Sequence, residues 1–361
     1  MSASTALVTG FPGFIGRRLV RRLAEADAER SVIALVEERM AQPAQDVVER
    51  LGVSEHVEIV PGDISKRRLG LDDAAWERLA TEVTHVFHLA AIYDLAVPAE
   101  IAQRVNVDGT GNVLELCTSA ERLERLAYVS TAYVAGTRTG VVYEHELVMG
   151  QDFKNHYEST KFQAEVWVRE LMRRVPTTIL RPAIVVGDSE SGETEKFDGP
   201  YYLLRAIARS QRMGQPVLQF GAARAAFNVV PVDYVVAAIA AAGTAADTVD
   251  ETLHLVDPDP LSTRELLALL SQEYANRAPR GRVSPRVIEG ALRMAPVREA
   301  FGGTPRESIA YLNHPVTFDT RRAVDLLSPH ALKPPLFGDY VSAMVAFFRE
   351  HEDDPAFAPR R

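Results

Sequence analysis

A glycine-rich turn near the start of the chain constrains the fold more than any other feature. Residues 6–9 form an apolar run typical of a buried strand, and residues 14–25 carry apolar side chains at helical spacing. Between them the glycines follow the spacing G-x-x-G-x-x-G: Gly10 permits a tight turn, Gly13 a close backbone approach to a pyrophosphate, and Gly16 close helix packing. This pattern predicts a dinucleotide site formed by Gly10, Phe11, Pro12, Gly13, Phe14, Ile15, Gly16 and Arg17.

The alternation of apolar strands with amphipathic helices continues through the first half of the chain. It predicts an α/β fold, a doubly wound, Rossmann-like parallel sheet with helices on both faces and a smaller, mostly helical substrate lobe. Residues 1–186 and 229–257 are assigned to the dinucleotide-binding domain, and residues 187–228 and 258–361 to the substrate lobe. Further predicted strands lie at 32–36, 57–60, 85–89, 126–130, 178–180 and 252–256, and helices near 73–81, 98–120, 157–174 and 232–246.

Composition argues against several other classes of protein. The net charge of −9 disfavours nucleic-acid binding, which needs a basic face. Cys117 is the single cysteine, so neither an internal disulfide nor a cluster of metal-binding thiols can form. The sequence shows no signal peptide, and Pro231 and Asp233 interrupt its most apolar stretch. We therefore expect a cytoplasmic protein with no membrane span, no metal and no nucleic-acid partner.

Polar residues after the second and third strands define the adenosine end of the predicted site. The Glu37 carboxylate could bind the ribose hydroxyls, which favours NAD(H). The guanidinium groups of Arg39 and Arg17 could instead hold the 2′-phosphate of NADP(H), so these residues leave the choice of cofactor open. Asp63, followed by Ile64, either contacts adenine or simply forms a turn. After the fourth strand, small residues would let the cofactor lie close or would simply pack tightly: Leu89, Ala90 and Ala91.

Tyr157 and Lys161 are the predicted catalytic pair. Their i, i+4 spacing puts them on one face of a helix, where the ammonium would lower the phenol pKa and bind the nicotinamide ribose. Tyr157 could then exchange a proton with a carbonyl oxygen during hydride transfer. Lysine is scarce in this chain, so a lysine here indicates a need for a compact charge. At the end of the fifth strand, Thr131 is the predicted hydrogen-bond donor to the substrate oxygen, with Ser130 in reserve; the alternative is a strand-end cap.

Several motifs together resemble the extended short-chain dehydrogenase/reductase superfamily, which includes NAD-dependent epimerases and dehydratases. They are the Thr-Gly-x-x-Gly-x-x-Gly start, the Tyr-Val-Ser-Thr-Ala-Tyr-Val run at 128–134, the Asn-x-Tyr-x-x-Thr-Lys run at 155–161, and Arg181-Pro182. Within the superfamily, the 128–134 run and the stretch 196–201 are most similar to fatty acyl-CoA reductases and thioester reductase domains. The resemblance covers about residues 5–257.

This resemblance implies roles for individual residues. The catalytic Ser/Thr, Tyr and Lys of the family correspond to Thr131, Tyr157 and Lys161. Asn106 resembles the helix asparagine that supports a water linked to the lysine. The family's cofactor-contacting positions after the last catalytic helix resemble Pro182, Ile184 and Val185.

The resemblance also implies a substrate and a cofactor. The substrate would be an acyl thioester, aldehyde or ketone with an apolar portion, and aromatic residues at 197–202 and 218–227 could line its pocket or simply form core. A thioester would come from a separate molecule, coenzyme A or a carrier protein, because the chain is too short to include activating and carrier domains. The branch favours NADPH slightly, although Glu37 stands where many thioester reductases have a basic residue. A homodimer would form through the helices near 98–120 and 157–174.

Three alternatives stay open. Secondary-alcohol dehydrogenases, such as the steroid-dehydrogenase-like members, and sugar-nucleotide epimerases share the same motifs. Sugar-nucleotide dehydratases place an acid beside the catalytic threonine, where this chain has Ala132 and Tyr133, so they are disfavoured. A non-catalytic, cofactor-sensing regulator on this fold would resemble members that lack the Tyr157 and Lys161 pair. Fold alone does not decide among these.

Overall fold

The computed structural model describes residues 4–27, 29–94, 97–219, 225–283, 287, 290, 294, 308–312 and 314–358. The strands are β1 (Thr5–Thr9), β2 (Ser31–Val36), β3 (Val57–Pro61), β4 (His85–His88), β5 (Arg125–Val129), β6 (Gly140–Val142), β7 (Thr177–Pro182), β8 (Ile184–Val186), β9 (Leu218–Gln219), β10 (Val229–Pro231), β11 (Thr252–Leu255), β12 (Arg280–Arg282) and β13 (Val316–Phe318).

The α-helices are α1 (Phe14–Ala26), α2 (Ala41–Leu51), α3 (Asp73–Glu82), α4 (Ala99–Ala102), α5 (Gly109–Ser119), α6 (His156–Leu171), α7 (Tyr201–Arg212), α8 (Val232–Ala242), α9 (Thr263–Ala275), α10 (Ile309–Leu312), α11 (Arg321–Leu327) and α12 (Phe337–His351). A π-helical segment, Gln103–Asp108, joins α4 to α5.

A parallel sheet of seven strands forms the centre of the described part of the chain. Its order is β11-β7-β5-β4-β1-β2-β3, and every neighbouring pair runs parallel. Because side chains alternate along a strand, Leu7 of β1 belongs to the apolar cluster on one face, and Ala6 and Val8 to the cluster on the other. The first cluster includes residues of α3, α5 and α6, and the second residues of α1 and α8. The predicted doubly wound α/β fold is confirmed.

The strand order reverses beside β1. From β1 the chain moves outward in one direction through β2 and β3, and in the other through β4, β5, β7 and β11. In such sheets, ligands bind at the carboxyl ends of the strands where the order reverses. The residues that follow β1, β4 and β5 at this edge are Gly10, Leu89 and Ser130.

Short strand pairs and helices complete the molecule outside the main sheet. Strand β8 pairs with β10, β6 with β13, and β9 with β12. The aromatic residues Phe197 and Tyr201 are buried and stack with ring centroids 5.1 Å apart, and Phe197 also stacks on Phe357 at 4.4 Å. Phe197 and Tyr201 therefore form core, which is one of the two interpretations that the sequence left open for these aromatic residues; Phe227 is buried as well, and Phe220 lies outside the described residues. The division into two lobes remains a prediction.

Two kinds of feature are missing from the described ranges. None of the helices there has the length and apolar character needed to cross a bilayer. In the same ranges, no three His, Cys, Asp or Glu side chains gather in a way that could hold a metal ion.

Candidate active site

The glycine turn leaves no room for side chains at its three glycines. Gly10 has φ of +88°, a conformation that favours glycine, and a Cβ there would lie 3.0 Å from the Ala90 nitrogen. A Cβ on Gly13 or Gly16 would lie 2.9 or 2.4 Å from the Gly10 oxygen. Helix α1 then begins at Phe14 after Gly13, which supplies no side-chain cap. The N-terminus of α1 therefore fits a pyrophosphate that approaches the turn closely.

The other residues of the predicted turn support its shape. Phe11 is buried, while Pro12, Phe14 and Ile15 are half-buried. Phe14 and Ile15 pack against the apolar cluster beneath α1. Arg17 forms an ion pair with Glu193 at 3.0 Å. This guanidinium is thus directed to the segment after β8 rather than to Glu37 at the predicted adenosine end.

Hydrogen bonds join the loop after β4 to the glycine turn. The Thr9 hydroxyl oxygen accepts the N–H groups of Leu89 and Ala90, both at 3.2 Å. It also lies 2.7 Å from His88 Nδ1, and His88 Nε2 lies 3.1 Å from the Thr110 hydroxyl. Burial lowers the pKa of His88 to about 3, with help from Lys161, so the imidazole is neutral. The predicted residues Leu89 and Ala90 thus lie against Gly10, and the half-buried Ala91 follows them.

A cavity of about 360 Å³ gathers the residues predicted for the adenosine end. Its lining includes Glu37, Arg39, Asp63 and Lys66. Glu37 Oε2 lies 2.6 Å from Arg39 Nε, so the carboxylate is already paired. Asp63 Oδ1 accepts the backbone N–H and the hydroxyl of Ser65 at 2.9 and 2.7 Å. Burial by itself would raise the pKa of Asp63, but the two bonds from Ser65 and the nearby Lys66 charge have the larger combined effect, so the pKa of Asp63 is lowered. Asp63 is a turn residue in this cavity, so both sequence interpretations remain compatible with its position.

Ile64 contacts α5 and does not line the cavity that contains Glu37, Arg39 and Asp63. A Cβ on Gly109, in α5, would lie 3.0 Å from Ile64 Cδ1. The Ile64 carbonyl accepts a hydrogen bond from Asn112 Nδ2 at 2.7 Å. Ile64 therefore anchors the loop after β3 to α5, and it is not among the lining residues of the cavity.

The start of α6 positions the predicted catalytic pair. Asn155 caps the helix by accepting the N–H of Glu158 at 2.9 Å, so Tyr157 lies in the first turn and Lys161 one turn later. Lys161 is buried; its Nζ donates to the Val129 carbonyl at 2.7 Å and lies 4.5 Å from the centre of the Tyr128 ring. Burial lowers the pKa of Lys161 to about 7, although the Glu165 carboxylate opposes this shift.

Burial dominates the electrostatics at Tyr157. Burial raises the pKa of this half-buried phenol, a hydrogen bond with Thr131 lowers it, and the Glu158 charge raises it further. The pKa of Tyr157 is therefore raised overall, because burial dominates and the Lys161 ammonium is directed to the Val129 carbonyl; a lowering effect of Lys161 on the phenol remains a prediction.

The two hydroxyls after β5 have different partners. Besides its bond to Tyr157, Thr131 Oγ1 donates to the Pro182 carbonyl at 3.4 Å and accepts the Tyr133 N–H at 3.3 Å. Thr131 thus has the capping role that was the alternative interpretation, and its hydrogen bond to a substrate oxygen remains a prediction. Ser130 Oγ donates to the buried Glu165 Oε2 at 2.6 Å, so its hydroxyl is engaged away from Tyr157.

Asn106 connects the loop after β4 with the catalytic helix. It lies in the π-helical segment, a type of irregularity that often marks functional sites. Its Oδ1 accepts the Ile92 N–H at 2.8 Å, and its Nδ2 donates to the Thr160 hydroxyl at 3.0 Å. Asn106 therefore contacts Thr160, the residue that precedes Lys161 in α6. The water-supporting role implied by the resemblance remains a prediction.

The residues after β7 border the same edge of the sheet. Pro182 is the last residue of β7, and its carbonyl is the partner of Thr131. Ile184 and Val185 lie half-buried in β8, and a Cβ on Gly199 would lie 2.9 Å from Ile184 Cγ2. Their place beside Thr131 fits the predicted contact with a nicotinamide.

Sequence reasoning missed two residues of this site. Tyr93 is 47% exposed, and its ring meets that of Tyr157 edge-on with centroids 5.1 Å apart. Glu165 is fully buried, and its Oε1 pairs with Arg181 Nη2 at 2.6 Å. Glu165 could have been found, since it is four residues after Lys161 on the same helix. Tyr93 has no comparable signal, because only the fold brings the loop after β4 to α6.

These observations define a class of protein. The glycine turn, the cavity at its adenosine end and the Thr131, Tyr157 and Lys161 group fit a nicotinamide dinucleotide whose reactive ring would lie beside Tyr157. The fold and these residues place the protein in the class of Rossmann-like NAD-binding domains. More particularly, the chain belongs to the male sterility protein family of NAD-binding domains, whose sequence profile matches residues 8–239.

Curated relatives and solved structures agree with this family. The chain is 30% identical to glycine betaine reductase ATRR of Emericella nidulans over 73% of its length, and 24% identical to L-2-aminoadipate reductase of Schizosaccharomyces pombe over 74%. The matched segments span only 22% and 20% of those proteins, about a fifth of their length.

Two solved structures share the fold of nearly the whole chain. The terminal R domain from the myxalamid PKS-NRPS biosynthetic pathway has a TM-score of 0.82 at 23% identity and covers 99% of this chain and 93% of its own. A thiolation-reductase di-domain from an archaeal non-ribosomal peptide synthetase has a TM-score of 0.74 at 18% identity, with coverage of 98% and 76%.

Proposed function

We propose that the protein reduces an acyl thioester to an aldehyde and a free thiol, with NADPH as the hydride source. The observation that carries the proposal is the position of Tyr157 in the first turn of α6, next to Thr131, which follows β5 at the same edge of the sheet as the glycine turn after β1. The thioester class is supported by relatives that are named reductases of two carboxylic acids, and by a fold neighbour in which a reductase is joined to a thiolation domain.

The site residues would divide the chemistry as follows. Bound nicotinamide supplies the hydride, which adds to the thioester carbonyl carbon. Thr131 and Tyr157 donate hydrogen bonds to the carbonyl oxygen, and Tyr157 gives it a proton, which produces a hemithioacetal. The C–S bond then breaks: the hydroxyl proton returns to Tyr157, the sulfur leaves and takes a proton from solvent, and the aldehyde remains. The net reaction consumes one hydride and one solvent proton.

The cofactor preference follows from the adenosine cavity. Arg39 neutralises Glu37 at 2.6 Å, so the carboxylate is less repulsive toward a phosphate than an unpaired one. Lys66 lines the same cavity and adds a second cation. Both cations could reach a 2′-phosphate, which favours NADPH over NADH. The thiol of the substrate would belong to coenzyme A or to a carrier protein.

A substrate panel tests this proposal. Acyl-CoA and acyl-pantetheine thioesters, aldehydes and ketones are offered with NADPH or NADH, and dinucleotide oxidation is followed together with thiol release. Thioester reduction predicts that thiol appears in step with dinucleotide oxidation. Activity confined to ketones or secondary alcohols would instead assign a dehydrogenase. Epimerisation of a nucleotide sugar without net oxidation would assign an epimerase, and cofactor binding without any turnover a regulator.

A further inference from the structure

A second lysine with a largely buried side chain, Lys154, precedes Tyr157 in the chain, whereas Lys161 follows it. Lys154 Nζ pairs with Glu158 Oε1 at 2.9 Å and donates to the Gly136 carbonyl at 2.6 Å. The exposed fractions of the Lys154 and Glu158 side chains are 10% and 0%. The chain's other lysines are exposed, namely Lys66, Lys196 and Lys333. The two buried lysines therefore bracket Tyr157, three residues before it and four after it.

Tyr311, far along the chain, adds a third group to this ion pair. Tyr311, in α10, donates its hydroxyl to Glu158 Oε1 at 2.7 Å and accepts a hydrogen bond from Asn155 Nδ2 at 2.8 Å. Asn155 is also the N-cap of α6, so one phenol contacts both the cap and the carboxylate beside Tyr157. Tyr311 thereby brings α10 into contact with the first turn of α6, although the two helices are more than a hundred residues apart in the chain.

Other bonds hold Tyr311 in place. The carbonyl of Leu312, the next residue, accepts a hydrogen bond from the Thr263 hydroxyl at 2.7 Å. The ring of Tyr311 meets that of Tyr133 edge-on, with centroids 5.0 Å apart. Strand β13, which follows α10, pairs with β6 in parallel. The Tyr311 hydroxyl is therefore a fixed donor, and its position depends on the lobe as a whole.

Stability alone is a weak reason to keep such a cluster. A buried ion pair often contributes no more to stability than well-packed apolar residues would, whereas its geometry is strongly directional. Each Glu158 carboxylate oxygen has a partner: Oε1 contacts Lys154 Nζ and Tyr311, and Oε2 accepts the Lys154 backbone N–H at 3.0 Å. The cluster thus fixes the residue that follows Tyr157 in the chain.

We propose that Lys154, Asn155, Glu158 and Tyr311 are positioning residues that set the orientation and the charge balance at Tyr157, and that they make α10 part of the active site. They act through Tyr157 rather than on the substrate. The proposal depends on proton donation by Tyr157, but not on the identity of the carbonyl substrate.

The charges around Tyr157 make the proposal specific. On its own helix, Tyr157 is acted on by Glu158 and is followed one turn later by Lys161, and from the loop after β4 the Tyr93 ring contacts it. Glu158 in turn faces Lys154, Tyr133 and Tyr311, and Asp198 acts on Tyr93. If Glu158 alone were neutralised, the Lys154 cation would remain and would lower the pKa of both Tyr157 and Lys161. Loss of Lys154 alone would leave an anion, which raises both.

Four variants test these signs: Glu158→Gln, Lys154→Met, the double variant and Tyr311→Phe, with the exposed Lys333→Met as a matched control. Reduction of any aldehyde or thioester that the enzyme accepts is measured against pH, together with the kcat and KM values, the solvent isotope effect, dinucleotide affinity and the unfolding midpoint. The alkaline limb of the pH–rate profile belongs to Tyr157 and Lys161 together. We expect this limb to move to lower pH, by about half a pH unit or more, in Glu158→Gln and to higher pH in Lys154→Met. The double variant should lie between them.

Tyr311→Phe should lower kcat by about tenfold with a larger solvent isotope effect, while KM and dinucleotide affinity stay near wild type. Normal dinucleotide affinity and unfolding midpoints show that the variants are folded. If all four variants keep the wild-type limb and a kcat within about twofold, the cluster is structural only and the proposal is wrong. Such a result would leave the thioester proposal untouched, because that proposal fails only when thioesters are not reduced.

Discussion

Burial acts in opposite directions on the two titrating groups of the catalytic pair. It raises the pKa of the Tyr157 phenol and lowers the pKa of Lys161 to about 7, because a low-dielectric site disfavours the charged form of each. Tyr157 therefore keeps its proton at neutral pH, as a proton donor must. Lys161 keeps its charge only at the acidic side of neutrality, so it is the group whose state changes in the working range.

Removal of the phenol hydroxyl tests the donor. Tyr157→Phe should lower kcat by ~10²–10⁴-fold, because a general acid typically contributes that much. The phenyl ring fills the same space, so dinucleotide affinity and the unfolding midpoint should stay at wild-type values. Tyr93→Phe is the matched control, since its ring lies 5.1 Å from that of Tyr157 and its hydroxyl has no assigned role in proton transfer. A wild-type rate in Tyr157→Phe, with chemistry shown to limit turnover, would contradict the assignment.

The Lys161 pKa predicts the pH dependence of reduction. The ammonium is present below about pH 7 and is lost above it, so kcat/KM should fall as pH rises through that value. The Glu165 carboxylate raises the pKa of Lys161, so Glu165→Gln should move this fall to lower pH. A profile of kcat/KM from acidic to alkaline pH checks both statements. If a folded Glu165→Gln variant lost kcat/KM at the same pH as the wild type, Lys161 would not be the group that controls this loss.

Cofactor preference is decided at the adenosine cavity. Arg39→Ala should weaken NADPH binding by roughly tenfold and leave NADH binding nearly unchanged, because only NADPH presents a phosphate to the guanidinium. Glu37→Gln should strengthen NADPH binding, since it frees Arg39 from its ion pair. Arg21→Ala, which removes an exposed pair with Glu25, is the control and should affect neither. Fluorescence titration with both dinucleotides measures the affinities of the three variants and the wild type; equal losses for NADH and NADPH in Arg39→Ala would contradict the assignment.

Among the elements, those with strong periodicity and clear boundaries were predictable. The apolar run and glycine spacing around β1 determine strand, turn and helix locally, and the structure confirms all three. Helix α2 carries Pro43 within its first turn, where proline is tolerated, but its pattern was not recognised. The predicted helix near 98–120 is interrupted by the π-helical segment. Nothing local signals this, because Asn106 is bonded to Ile92 and Thr160, which are distant in the chain.

The glycine turn offers a test at the level of an element. Gly16→Ala would place a Cβ 2.4 Å from the Gly10 oxygen, so the turn must shift and the approach to the pyrophosphate is lost. We expect dinucleotide binding to become undetectable, with a lower unfolding midpoint. Gly338→Ala, where nothing lies within 4 Å, is the control and should bind normally. Isothermal titration with NADH and NADPH checks this, and retained affinity in Gly16→Ala would remove the site from this turn.

At the scale of the whole molecule, the least predictable features are bonds between distant segments. Arg181 lies in the middle of one such network: it pairs with Glu165, lies 3.2 Å from His254 Nε2 and donates to the Glu144 carbonyl. The sequence shows Arg181-Pro182 as a family motif but not its partners. Pairing of β6 with β13 likewise joins segments separated by about half of the chain. Such contacts depend on the assembled sheet, which periodicity does not specify.

Glu144 is the point at which three segments of the molecule meet. Its side chain is buried and accepts the backbone N–H groups of His254 at 2.9 Å, Arg322 at 2.8 Å and Ala323 at 3.0 Å. Glu144→Ala would leave these donors unsatisfied, at a cost of about 1–3 kcal/mol for each buried group, so we expect a large fall in the free energy of unfolding. Glu144→Gln keeps one acceptor oxygen, which can still serve the His254 and Ala323 N–H groups that share Oε1, so it should cost less.

The pKa of Glu144 adds a pH dependence with a definite sign. Burial raises it from an ordinary 4.5 to about 7, although the three N–H bonds oppose this. The folded protein therefore holds a proton that the unfolded chain has released, so Glu144 contributes stability that is fully present below about pH 4.5 and is lost as pH rises through about 7. Glu144→Gln cannot titrate, so its unfolding free energy should change less between pH 5 and pH 8 than that of the wild type, as judged by denaturant titration at each pH. The exposed Glu170→Gln, for comparison, should keep the wild-type slope. If Glu144→Gln showed the same slope as wild type, or Glu144→Ala the same stability, the three-segment contact would not be what holds this part of the molecule together.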